Sequence, residues 1–319
     1  MPNYSGVWTL SQQFQAVGQG LWPPNFVPDG TFGIFALGLA GSNVTTRNKY
    51  TYVGCTVSTG GAATVGSSFG SATGNSTVGI FALGYNVSFT QVTTRDKYTY
   101  SGCVVSAGGA ATVGSTCGSA AGNSTVGIFA LACAGGRVTT RDKYTYSGCV
   151  VSAGGAATMA SRSGSAAGNS TVGIFALGSI VGCVRVTTRD KYTYSGDVVS
   201  AGGAATAGSA QNSAAGNSTV GIFALGSENT GRVTTRNKYT YSGDAVSAGG
   251  AATVASSNGS AAGNSTVGIF ALGYDIGGTP TSTRDKYTYS GCVVTAGGAA
   301  TAASVAGSAA SNGVAGVTL

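Results

Sequence analysis

The chain has 319 residues, with 55 glycines, 42% hydrophobic residues, only 8% charged residues and a formal charge of +7. Histidine is absent, which removes the commonest general acid–base and the commonest metal ligand together. Abundant Val, Thr and Tyr with no run of apolar residues at helical spacing point to an all-β chain, and no apolar stretch approaches the ~18 residues of a membrane span.

From the N-terminus, "MPNYSGVWTLSQQFQAVGQG" lacks a basic segment followed by an apolar one, so no signal peptide is expected and the protein is placed in a cytoplasm or on a particle such as a virion. Residues 10–30, with Trp22 and the Pro23–Pro24 pair, read as an irregular connection. A repeat then begins. The glycine of "GIFAL" falls at Gly33, Gly79, Gly127, Gly173, Gly221 and Gly268, a period of 46 to 48, and a worn copy, "GVTL", begins at Gly316. "KYTY" places its second tyrosine at Tyr52, Tyr100, Tyr146, Tyr194, Tyr241 and Tyr289, and a step back of 48 lands on Tyr4.

Such a period accommodates four short strands with their turns, as in a propeller blade. In each repeat these are "GSAAG", "TVGIFAL", "TTRDKYTY" and "VVSA", with tight turns at "GN" and "SG". A blade is covered on both faces by its neighbours, so its second strand reads as an unbroken apolar run. In the third strand Thr94, Asp96, Tyr98 and Tyr100 share one face, while Arg95, Lys97 and Thr99 share the other. The in-phase terminal copies predict a single domain over 1–319: a seven-bladed propeller of four-stranded antiparallel blades, with N- and C-terminal strands joined in one shared blade. Six blades and a β-solenoid are the alternatives.

The repeat resembles the kelch family. "STVGIFALG" looks like the kelch second strand, and "DKYTYSGDVVSAG" like its third and fourth, with Tyr98 and its equivalents. Most copies keep one glycine where kelch strands usually end in two, and the signature tryptophan of the fourth strand is missing from the interior copies. The near-identical repeats look like those of bacterial, cyanobacterial and phage kelch-like proteins. The resemblance implies a binding platform and specifies no ligand.

Two segments vary between copies: the loop after "GIFAL" and the stretch after "GGAAT". In a four-stranded meander both lie on one rim and the constant turns on the other. The variable rim carries Phe69, Phe89, Arg137, Arg162, Arg185, Gln211, Asn212, Glu228, Asn258 and Asp275 as candidate ligand-binding residues, in a setting suited to a polar ligand such as a glycan. The "GNST" sequons at Asn75, Asn123, Asn169, Asn217 and Asn264 read as turn residues. Cys55, Cys103, Cys149 and Cys292 occupy one repeat position, where Asp197 and Asp244 stand in other copies; free thiols are expected, and any bridge would be among Cys117, Cys133 and Cys183. "TRDK" reads as inter-blade ion pairs, weak where exposed, in preference to a phosphate-binding ring.

No nucleophile–base pair and no metal-ligand spacing is found, so the chain reads as a non-enzymatic module without cofactor or metal. Its expected partner is a protein or a surface glycan, with nucleic acid not expected from charges spread so evenly. The alternative is a structural component of a large assembly, such as a phage tail, fibre or capsid appendage, bound to other virion proteins.

Overall fold

The computed structural model describes residues 30–313. They form a β-propeller of four-stranded antiparallel sheets. The second blade is representative: Ser71–Gly74 lies innermost, followed by Val78–Ala82, Arg95–Thr99 and, outermost, Val104–Ala107. The next four blades repeat this order, with innermost strands Ser119–Gly122, Ser165–Gly168, Ser213–Gly216 and Ser260–Gly263.

Closure is made in the first blade. Its inner strand is Ser308–Ser311, from the C-terminal end, and its other three are Phe32–Ala36, Arg47–Thr51 and Thr56–Thr59. Asn312 takes the place of the interior turn asparagines: its Oδ1 accepts the Phe32 N–H at 3.0 Å, as Asn75 Oδ1 accepts that of Val78 at 2.9 Å. One blade is thus shared between the two ends of the described chain, by Ser308–Ser311 and Phe32–Thr59, whereas the sequence pairs the C-terminal strands with the copy at Tyr4.

The blades of the described residues number six, the alternative held beside seven. The inner strand Ser308–Ser311 touches those of both the sixth and the second blade, so the six inner strands meet around the whole circle. The terminal copies at Tyr4 and Gly316, from which a seventh wedge was expected, lie outside the described residues, as does the connection over residues 10–29. Repeat phase shows that two segments share a pattern. It does not show that they share a blade, and Ser308–Ser311 is already paired with Phe32–Ala36.

The repeated phrases now have causes. Ile80, Phe81 and Tyr98 are fully buried, and their equivalents recur in the other blades. Gly79 is required by close approach: a Cβ there would sit 2.8 Å from the Tyr100 hydroxyl and 3.1 Å from the Ala310 Cβ of the neighbouring blade. The "GNST" asparagines serve the turn and the next blade together. Asn75 Oδ1 accepts the Thr77 and Val78 N–H groups, while its Nδ2 donates to the Ser124 carbonyl at 3.1 Å.

"GGAATxxx" and "TRDK" meet in one buried clamp at each blade interface. Arg47 stacks over Phe81 of the next blade at 4.5 Å, and its Nη2 donates to Asp96 Oδ2 at 2.8 Å. Asp96 also accepts the Thr64 N–H at 3.0 Å and its hydroxyl at 2.6 Å. Arg95–Asp142, Arg141–Asp190 and Arg236–Asp285 repeat the pair at 2.7 to 2.8 Å. The inter-blade ion pairs expected from the sequence are thus present, and since their side chains are 0% exposed the small value of an exposed pair does not apply to them. The reason is geometric. The third strand alternates Arg and Asp across its two faces, and both faces meet a neighbour.

At two interfaces asparagine replaces the acid. Arg189 donates to Asn237 Oδ1 at 3.0 Å and Arg284 to Asn48 Oδ1 at 3.1 Å. Burial without a carboxylate lowers both guanidinium pKa values to about 10. Removing one partner of a buried pair costs about 3–5 kcal/mol, so Asp142→Ala should lose that much in urea unfolding. Asn48→Asp and Asn237→Asp should each gain about 1–2 kcal/mol, the difference between a neutral and a charge-assisted bond.

The tyrosines set an alkaline limit. Burial pushes the Tyr98 hydroxyl up to about 12, and those of Tyr50, Tyr144, Tyr192, Tyr239 and Tyr287 higher. Unfolded tyrosine ionises near 10, so their contribution is complete below about pH 10 and is lost as pH climbs through the folded values. Arg189 and Arg284 titrate with the opposite sign, since the unfolded chain holds their protons longer, but they are outnumbered. Circular dichroism and phenolate absorbance followed together should change in one cooperative step above about pH 10, not as independent tyrosine titrations followed by unfolding.

Candidate functional site: the variable rim and channel mouth

Both variable segments lie on one rim, as backbone pairing between them shows. Ser68 pairs with Tyr85, Thr116 with Cys133, Arg162 with Ser179 and Ser257 with Tyr274. The "GN" and "SG" turns occupy the opposite rim, at the other ends of the same strands.

Where each connection enters its inner strand, six equivalent residues form a closed belt. The Cys117 N–H donates to the Phe69 carbonyl at 2.9 Å, Ser163 to Cys117 at 2.9 Å and Gln211 to Ser163 at 2.7 Å. Asn258 then donates to Gln211 at 3.0 Å, Ala306 to Asn258 at 2.9 Å and Phe69 to Ala306 at 2.8 Å. All six have φ between 55° and 60°, the left-handed region that side chains other than glycine occupy at a cost. Six unlike side chains are thereby held around the axis, where with the following residues they line a small, open depression.

Of the sequence candidates, Phe69, Gln211, Asn212 and Asn258 come together at this mouth. Asn212 departs from its equivalents, which are Gly70, Gly118, Gly164, Gly259 and Gly307. It is 9% exposed and its Oδ1 has no hydrogen-bond partner, which leaves a buried acceptor beside the depression. Phe69 lies edge-on to Tyr85 at 6.2 Å, and Tyr85 in turn meets Phe89 at 6.4 Å, so the second blade contributes an aromatic cluster with Phe89 exposed.

The other candidates lie farther out on the same rim. Arg185 donates to Asn229 Oδ1 and Ser227 Oγ, both at 3.2 Å. Glu228 sits in a small hairpin, Ser227–Glu228 against Gly231–Arg232. Asp275 Oδ1 accepts the Thr279 N–H at 2.9 Å and so closes its own loop. Arg137 and Arg162 both reach Cys183. The sequence reading passed over Cys117, Ser163 and Ala306, which line the mouth equally. Aligning the copies on the glycine after each would have found them.

The cysteines are free, as expected. Among the described residues no three His, Cys, Asp or Glu side chains gather as a metal-holding group, and no helix is long and apolar enough to cross a membrane. No family model matches the chain, and no curated protein does.

The belt amides are buried in mutual hydrogen bonds, whereas the loop tips are not. In native-state hydrogen exchange, the amides of Phe69, Cys117, Ser163, Gln211, Asn258 and Ala306 should exchange only with global unfolding, and those of Val87, Gly136 and Gly277 by local opening.

Proposed function

We propose that the protein is a non-enzymatic binding module that takes a glycan at the mouth of its axial channel, on the variable rim. The observation that carries this reading is the buried, unpartnered Asn212 Oδ1 beside the depression. An unsatisfied buried acceptor costs about 1–3 kcal/mol, and a ligand hydroxyl would satisfy it. The surroundings support the same ligand class. Gln211, Asn212 and Asn258 offer planar amides that both donate and accept, and the Phe69–Tyr85–Phe89 cluster offers an apolar face for the C–H side of a sugar ring. The backbone belt fixes these groups in advance, which reduces the ordering cost of binding.

A second reading is a part in a larger assembly, such as a phage tail or fibre. It is favoured by Val104, Val150, Val198 and Val293, more than half exposed at the start of equivalent outer strands, on the rim of constant turns. The two rims are separate surfaces, so both roles fit one molecule. The kelch likeness belongs to the same reading. It rests on the order of an apolar second strand and a tyrosine-bearing third strand within a four-stranded blade.

Glycan-array screening followed by calorimetry tests the proposal. Asn212→Gly restores the residue of the other five blades and should leave the melting temperature in place, while affinity falls about tenfold or more for loss of a buried hydrogen bond. Absence of any glycan ligand, or unchanged affinity in Asn212→Gly, would overturn the assignment of this mouth.

A further inference from the structure

The loop Val181–Cys183 of the fourth blade turns at Gly182 (φ 76°) and holds Cys183 at φ 60°, with the thiol exposed at its tip. Two guanidinium groups reach that sulfur from separate elements. Arg137, in the variable loop of the third blade, places Nη2 3.6 Å from Sγ, and Arg162, in the connection entering the fourth blade, places Nη2 at 3.7 Å. Neither arginine pairs with a carboxylate among the described residues, and the buried Nε of Arg137 has no partner. Two cations therefore converge on one thiol with no protein anion to neutralise them. That arrangement attracts anions and stabilises the thiolate as well.

We propose that Cys183, with Arg137 and Arg162, is a covalent modification site for small anionic disulfides, that is, disulfides of carboxylate-bearing thiols. The arginines hold the reagent's carboxylate and the Cys183 thiolate attacks one sulfur. The protein–reagent S–S bond forms, the reagent's own S–S bond breaks, and the second half leaves as a thiolate that carries the electron pair. No other oxidant is needed, because the reagent is reduced as Cys183 is oxidised. Hydrogen bonds from Arg137, together with the charge of both arginines, hold the Cys183 thiol below its ordinary range, whereas burial raises that of Cys117 in the same cluster. The two thiols are thus set apart in reactivity. This inference does not depend on the glycan reading.

The test uses the native full chain and two reagents, dithiobis(nitrobenzoate), which carries two carboxylates, and neutral dithiodipyridine. With the anionic reagent one thiol of the seven should react in a distinct fast phase, and peptide mapping at that stage should place the label on Cys183. Cys183→Ser should abolish the phase. Arg137→Ala and Arg162→Ala should each slow it roughly five- to tenfold, as expected for one charge lost near 4 Å in a solvated setting, and should slow the neutral reagent less. A fast phase that survives in Cys183→Ser, a first label on another cysteine, or an unchanged anionic-to-neutral rate ratio in the double arginine variant would overturn the proposal. The mapping arm needs no variant, so it decides even if a substitution disturbs folding.

Discussion

The buried guanidinium clamped between blades is the constraint on which the rest of this structure depends. A propeller blade cannot bury its faces alone, and here the joint between blades is polar at its centre. Each arginine lies over the next blade's phenylalanine and donates to that blade's Asp or Asn, which at all six joints also binds the connecting threonine. A charge so deeply buried is stable only in register with its acceptor, so the clamp penalises any slip of one blade against another. At least three elements of the repeat, "GIFAL", "TRDK" and "GGAAT", are therefore bound into one interaction. That binding explains why they change so little between copies.

Much of this was legible in the sequence. The strand order, the double burial of the second strand and the separation of a constant rim from a variable one all follow from short phrases at a fixed period. The pairing of Arg95 and Asp96 with neighbouring blades was legible but its full burial was not, because alternation of charged and aromatic residues taken by itself reads as a strand with one wet face. Only the presence of a neighbour on each side reverses that inference. The blade count escaped for a different reason. The phase of Tyr4 and Gly316 is a property of the repeat's text, whereas the first blade is completed by the pairing of Ser308–Ser311 with Phe32–Ala36.

At the channel mouth, Phe69, Gln211 and Asn258 stood out as large or polar, while Cys117, Ser163 and Ala306 at equivalent places did not. Their equivalence lies in the left-handed backbone and the circular hydrogen bonding, neither of which follows from residue type. The meeting of Arg137, Arg162 and Cys183 was hidden in the same way, since it joins loops of two blades. Rigidity and variation are thus combined at one place: the clamps and the belt fix the backbone, and the side chains above it are free to differ.

A double-mutant cycle on Arg95 and Asp142, with Arg95→Met and Asp142→Leu taken singly and together in urea unfolding, measures the clamp most directly. A desolvated pair should give a coupling energy of about 3 kcal/mol or more, with the double variant close to the wild type in stability. A coupling of about 0–1 kcal/mol, the value of a solvent-exposed pair, would contradict the account.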